Sequence, residues 1–242
     1  MNAIEIQHLT KIYKDITAVN DLSLSIPKGE LFTLLGVNGA GKSTLIKMLS
    51  CLTAPSKGDA LLMGHSILRQ PQDIKRIIAI SPQESALAKG LTAQENLMLL
   101  CGAHGFSKQE SLEKSQWLME KMNLTSQARK MAGKLSGGWQ RRLSIAMALI
   151  SDPQILFLDE PTLGLDVLAR RELWKMIRAL KGNTTILLTT HYLEEAEALS
   201  DRIGILKEGR LMMADTTAAI LEKTNQAKLE DAFIHMIKGD SQ

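Results

Sequence analysis

Glu30–Leu35 (ELFTLL) runs directly into Gly36-Val37-Asn38-Gly39-Ala40-Gly41-Lys42-Ser43-Thr44, and the reading of the fold turns on this junction. The first six residues are an apolar run bounded by the turn signal Pro27-Lys28-Gly29, which predicts a buried strand. The next nine match G-x-x-x-x-G-K-[ST] in full. A helix is expected from Lys42 to about Cys51. Strand, glycine loop and helix in this order form a cradle: glycines let successive backbone N–H groups point inward around an anion, and the helix start adds its positive dipole. A glycine motif outside that context would be only a turn.

Outward from this junction, Ala3–Leu9 and Ala18–Ile26 alternate apolar and polar residues, as strands with one wet face do. Ile77–Ile80 is a further short apolar strand. From about Leu91 to Ile150 helical spacing takes over, with Leu112, Leu118, Met119 and Met122 on one face. Pro153 breaks that pattern. Ile155–Leu158 (ILFL) is a buried strand ending in Asp159-Glu160, Val167–Leu180 is helical, Thr184–Thr190 (TTILLTT) is a strand and Tyr192–Leu199 a helix. Arg202–Lys207 and Arg210–Ala214 read as a hairpin turning at Glu208-Gly209, and Ala218–Lys238 as two short helices. Near-continuous apolar strands separated by helices give an α/β fold with a mainly parallel sheet covered on both faces.

Composition narrows the function classes. The 242 residues are 45% hydrophobic and 23% charged, and aromatics supply only 4%, so the core is aliphatic. A net charge of +3 does not argue for nucleic acid, and no basic stripe accompanies a stacking or groove-entering element. Gln140-Arg141-Arg142 is short and reads as a solvated helix face. Cys51 and Cys101 lack CxxC spacing and are expected to be reduced cytosolic side chains. The N-terminus shows no basic segment followed by an apolar run, so no signal peptide is expected. No stretch approaches the roughly 18 apolar residues of a membrane span.

Two further motifs carry chemistry. Asp159-Glu160 closes a buried strand, where adjacent carboxylates are costly without a cation. Asp159 fits a carboxylate that holds Mg²⁺ directly or through water, and Glu160 a general base that polarises the attacking water. Taken by itself, the pair also reads as a solvated turn. In Leu135-Ser136-Gly137-Gly138-Trp139-Gln140, Ser136 stands as N-cap of a long helical pattern, which would make a second anion-binding helix start. That string alone reads equally as an ordinary capped helix. Lys42 is expected to reach the β- and γ-phosphates and Ser43 to place its hydroxyl on Mg²⁺.

In order, the glycine loop, Gln83 after a strand, LSGG, ILFLDE, Gly164-Leu165-Asp166 and His191 after TTILLTT resemble the ATP-binding cassette of ABC transporters. The resemblance covers essentially the whole chain, from Ile4 to about Ala214. LSGG, about two dozen residues before Glu160, is the string most specific to that family. It implies a P-loop NTPase fold: a core of residues 1–83 and 151–215 with an N-terminal antiparallel β subdomain, a helical insert over 84–150 carrying the signature, and C-terminal helices over 216–242. It implies ATP and Mg²⁺ as cofactors. Gly36, Asn38, Gly39, Ala40, Gly41, Lys42, Ser43 and Thr44 would hold the phosphates, with Ser43, Gln83 and Asp159 at the metal. Glu160 would be the base, His191 the switch histidine and Gln83 the residue sensing metal and water. Tyr13 matches the adenine-stacking aromatic, although a tyrosine on a half-exposed strand is the competing reading.

The same resemblance implies that Ser136, Gly137 and Gly138 contact ATP bound to a second copy, with Asp166 at the dimer interface. Two cassettes would pack head-to-tail around two ATP molecules. Trp139 stands where glutamine is commonest, and Leu163-Gly164 where Ser-Ala is often found; neither change removes a phosphate ligand. The run from Leu135 to Trp174, LSGGWQRRLSIAMALISDPQILFLDEPTLGLDVLARRELW, and the string LEDAFIHMIKG look like those of bacterial export cassettes of the ABC-2 type. The short tail is expected to leave no room for an importer's regulatory domain. The expectation is a peripheral subunit on the cytoplasmic face of the membrane. It would power export through a separate membrane-spanning permease that docks on residues 84–134. The alternative is a soluble ABC ATPase acting on ribosomes or DNA, a class that usually carries paired cassettes, zinc modules or coiled-coil inserts.

Overall fold

The computed structural model describes residues 1–238; Gly239 and the rest of the expected C-terminal region lie outside the described residues. Two sheets organise the chain. Strands β1 (Asn2–Tyr13), β2 (Ile16–Pro27), β4 (Lys57–Leu62) and β5 (His65–Ser66) form an antiparallel sheet in the order β2-β1-β4-β5. Strands β3 (Leu31–Leu35), β6 (Ile78–Ser81), β7 (Ile155–Asp159), β8 (Thr185–Thr190), β9 (Arg202–Lys207) and β10 (Arg210–Asp215) form the second, ordered β10-β9-β3-β8-β7-β6. Every pairing in it is parallel except the β9–β10 hairpin.

Alternation along the three central strands decides which face each side chain serves. Phe32, Leu34, Ile155, Phe157 and Leu187 pack into a core shared with the antiparallel sheet and helix α1 (Lys42–Leu49). Leu31, Leu156, Leu158, Ile186 and Leu188 point the other way. They pack with α3 (Ala93–Ala103), α4 (Lys108–Lys121), α5 (Gly137–Ala148) and α6 (Val167–Arg178). A strand buried on both faces has no polar side to show, which is why ELFTLL and ILFL read as unbroken apolar runs. A third, smaller cluster joins β9 and α7 (Leu193–Leu199) to α8 (Thr217–Thr224) and α9 (Leu229–Lys238).

Local chemistry sets several boundaries. Helices α3 and α4 open on full capping boxes, Thr92 with Glu95 and Ser107 with Glu110. Helix α1 stops at Leu49 instead of Cys51, because Cys51 turns to a left-handed φ of 57°. Ile77 ends helix α2 (Pro71–Ile77) instead of starting a strand. Strands β4 and β5 and helix α2 carry weak sequence signals: β4 opens on a lysine and a glycine, β5 has two residues, and α2 has one buried side chain, Ile74. Leu118, Met119 and Met122 are buried as their spacing predicts, with Leu112 only half-buried.

Candidate nucleotide site

The parallel sheet brings the chemistry-bearing residues together. Register places Leu35 beside Thr190, Asp159 beside Thr189 and Ser81 beside Leu158. Loops leaving these strands therefore emerge along one sheet edge, which is where ligands bind in open α/β sheets. They deliver the glycine loop after β3, Gln83 after β6, Glu160 at the end of β7 and His191 after β8. A cavity of about 400 Å³ lies there, lined by Asn38 to Thr44, Gln83, Glu160, Leu163 and His191, with Ala18 of β2 at its rim.

Its interior is densely paired. The Lys42 ammonium, 5% exposed, donates to the carbonyls of Gly36 (2.7 Å) and Val37 (3.2 Å). It also lies 3.4 Å from Glu160 Oε1. Ser43 Oγ donates to Asp159 Oδ1 at 3.2 Å, and Thr189 Oγ1 donates to the same oxygen at 2.5 Å. His191 Nδ1 stands 3.2 Å from Glu160 Oε2 but is buried without a partner of good hydrogen-bond geometry. Gly41, at φ 104°, has no alternative: a Cβ there would sit 2.3 Å from the Ala18 carbonyl.

Glu160 adopts a left-handed φ of 46°, a conformation that for a non-glycine residue stores about 1–3 kcal/mol. Its own N–H holds the position, donating to the carbonyl and the hydroxyl of Thr189, each at 3.1 Å. The turn that follows is held by Arg141. That guanidinium donates to the carbonyls of Asp159 (2.6 Å), Pro161 (2.8 Å), Gln83 (3.4 Å) and Pro82. Burial pushes Arg141 down to about 10, against the attraction of Asp159, Glu195 and Glu160. Sequence reasoning missed this residue. Arg141 and Arg142 are 5% and 9% exposed, so the solvated-face reading of that segment is overturned. No local signal marks it: only the fold sets this turn of α5 against the segments that follow β6 and β7.

The signature string stands apart. Ser136, Gly137 and Gly138 do not line the phosphate-loop cavity; Gly137 lines a neighbouring one together with Gln83, Glu160, Arg141 and Leu165. Ser136 occupies the N-cap position of α5, yet its hydroxyl makes no capping bond. Trp139 covers the Arg142 guanidinium at 4.4 Å. Asp166 caps α6, accepting from the Ala169 N–H at 2.9 Å. Tyr13, 43% exposed, sits at the β1–β2 turn under the Lys11 ammonium and does not line the cavity.

A family model described as ABC transporter matches residues 19–163, a span that includes the glycine loop, LSGG and Asp159-Glu160. The chain belongs to the ABC transporter family. Daunorubicin/doxorubicin resistance ATP-binding protein DrrA of Streptomyces peucetius is 40% identical over 219 residues, covering 90% of this cassette and 66% of DrrA. Human ATP-binding cassette sub-family A member 2 is 44% identical over 214 residues, 86% of this cassette but 9% of that protein. The cassette thus spans less than two thirds of these relatives' length.

Among solved structures, an ATP-binding subunit of an ABC transporter superposes with a TM-score of 0.84 at 30% identity, covering 97% of this cassette and 99% of that chain. The dimeric cassette MJ0796, in a post-hydrolysis state bound to ADP and Pi, gives 0.80 at 27% identity over 88% of this cassette and 98% of its own chain. The α/β architecture with its antiparallel sheet is therefore that of ABC cassettes. No helix among the described residues is long and apolar enough to cross a membrane.

Magnesium is the metal this fold implies. Among the described residues no group of three or more His, Cys, Asp or Glu is placed to hold a metal ion. Mg²⁺ takes one or two protein oxygens and fills its other positions with water and phosphate. Ser43 Oγ and Asp159 Oδ1, adjacent at the foot of the phosphate loop, supply such a pair.

Proposed function

We propose that this cassette binds ATP with Mg²⁺ and hydrolyses it, and that two copies clamp two ATP molecules to drive export through a separate membrane-spanning subunit. One observation carries the reading: Glu160 lies between the Lys42 ammonium and the His191 imidazole, at 3.4 and 3.2 Å. The phosphate loop binds and orients the triphosphate. Ser43 and Asp159 would hold Mg²⁺, which neutralises charge on the phosphate oxygens. Glu160 takes the proton of the attacking water, and His191 orients the carboxylate from its other oxygen. Gln83 lines the cavity wall and stands to position the water.

The split between the two motif regions supports the dimer. Ser136–Gly138 do not line their own phosphate-loop cavity, so their uncapped hydroxyl and helix-start N–H groups suit the γ-phosphate of a second copy. Asp166 would then stand at the dimer interface, and Tyr13 would face the adenine. Export is favoured by likeness to DrrA, a daunorubicin/doxorubicin resistance ATP-binding protein. We place the cassette at the cytoplasmic membrane surface, with residues 84–134 as docking face and 1–83 and 151–215 as catalytic core. Phosphate release from ATP by the purified chain tests the chemistry, and affinity capture from detergent-solubilised membranes tests the partner. Recovery of a multi-span protein is the expected result; recovery of ribosomes would replace transport by the soluble alternative.

A further inference from the structure

His191 stands between two cavities. It lines the phosphate-loop cavity, and it also lines a second one of about 550 Å³. The wall of the second includes Arg170 of α6, Tyr192 at the N-cap of α7, Glu194 and Lys228. The mechanism above uses the histidine and leaves this other side of it without a role.

The Glu160 carboxylate alone does not lock the imidazole, because Nδ1 lies near it without good hydrogen-bond geometry. A ring contact is present instead. Tyr192 packs against His191 with ring centroids 4.1 Å apart and planes tilted by 42°. The Tyr192 backbone is pinned, its N–H donating to the Thr190 hydroxyl at 3.0 Å. Its ring is held as well: the Arg170 guanidinium stands over it, 4.7 Å from the centroid, within cation–π range. Arg170 Nε is buried without a partner, and its NH1 lies 3.8 Å from a Glu194 carboxylate that is 82% exposed. An ion pair so open to water contributes little. Guanidinium, phenol ring and imidazole thus form a chain of contacts from α6 to the loop after β8.

We propose that Tyr192, with Arg170 against its ring, is a positioning residue for hydrolysis that fixes the plane of the His191 imidazole so that Nδ1 faces Glu160. The inference rests on the functional reading above. The terminal torsion of a histidine is intrinsically broad, and the larger cavity gives the ring room to turn once its aromatic neighbour is gone. The bonds of Lys42 to the phosphate loop and of Ser43 to Asp159 do not pass through these contacts. Loss of the tyrosine ring therefore slows the chemical step and spares ATP binding.

The test is ATP turnover of the full chain, with thermal melts to show that each variant is folded at assay temperature. Tyr192→Leu should lower kcat about 10-fold, the scale of a small misplacement of reacting groups, with KM for ATP within about 3-fold of the parent. Tyr192→Phe, which keeps the ring and removes only the hydroxyl, should recover most of that loss. Arg170→Met, which keeps an unbranched stem and removes the cation, should lower kcat about 3-fold in the same sense. Nuclear magnetic resonance of the histidine-labelled chain gives a second readout, with His191 identified by the signal lost in His191→Ala. Its ring protons should shift in Tyr192→Leu, where the ring current of the tyrosine is gone, and lie near the parent position in Tyr192→Phe. Parent-like turnover of folded Tyr192→Leu, a KM that rises in step with the loss of kcat, or a Tyr192→Phe no better than Tyr192→Leu would each reduce the contact to ordinary packing. If the parent does not hydrolyse ATP although the resonance shift is found, the functional reading has failed and the positioning role goes with it.

Discussion

The two glycine-rich helix starts of this chain differ in how they are furnished. At α1, the glycine loop is followed by a lysine, and the ammonium is already bound by two loop carbonyls and flanked by Glu160. At α5, Ser136 and Gly137 are exposed, and the serine hydroxyl makes no capping bond. The first is a half-site furnished by its own chain. The second is a set of donors whose partner, on our reading, comes from another copy. Their glycines differ accordingly: a Cβ at Gly41 would strike the Ala18 carbonyl, while at Gly138 it would stand 3.1 Å from the Ala169 Cβ of α6. The signature turn therefore packs on the helix that follows Asp166, and the loop packs on the antiparallel sheet.

The largest way to break this comparison is at the furnished half. Glu160→Gln should reduce phosphate release by roughly a thousandfold, within the range for removal of a general base, while ATP is retained. Size-exclusion chromatography with ATP should show a trapped dimer. Parent-like turnover in this variant would assign the base elsewhere.

Lys42→Ala should weaken ATP binding by about 10- to 100-fold, as loss of a charge-assisted hydrogen bond to phosphate does. Equilibrium titration of the isolated chain reads this directly. Gly138→Val sharpens the contrast, because it should leave ATP affinity of the monomer within about 2-fold and cut turnover at least 10-fold by disordering the other half-site. If it weakens monomer binding instead, the two helix starts serve one nucleotide and the clamp is wrong.

The smallest effects concern stability. Arg141→Met strands four carbonyls that the guanidinium now satisfies and should lower stability by about 3 kcal/mol in urea denaturation. Thr92→Ala removes only the capping box of α3 and should lower it by about 1 kcal/mol.

Much of this was legible in residue order. Gly36 to Thr44 follows an unbroken apolar strand and ILFLDE contains another, so the type of these elements was readable from hydrophobicity and turn chemistry. The helical insert announced itself by spacing, whereas its Thr92–Glu95 and Ser107–Glu110 capping boxes emerged only in the structure. Arg141 was not legible, because a basic residue beside another basic residue in a helix resembles a wet surface. Only the approach of β6 and β7 turns that position inward, where four carbonyls replace water. Glu195 was hidden for the same reason: LEEAEAL has five acidic or small positions in a row, and packing alone selects which carboxyl is buried. Strand β4 was obscured because its pairing with β1 is long-range and its own residues carry little pattern.

By itself, then, the sequence determined the strand–loop–helix cradle, the carboxylate pair and the order of motifs, since these depend on local backbone freedom and on burial of contiguous apolar runs. The tertiary structure decided which of those motifs meet. Parallel pairing of β3, β8, β7 and β6 sets Lys42, His191, Glu160 and Gln83 along one edge, because strands in parallel register end on the same side. It also left Ser136–Gly138 outside the phosphate-loop cavity, with Gly138 packed on Ala169 of α6, a result that no local pattern in LSGG encodes.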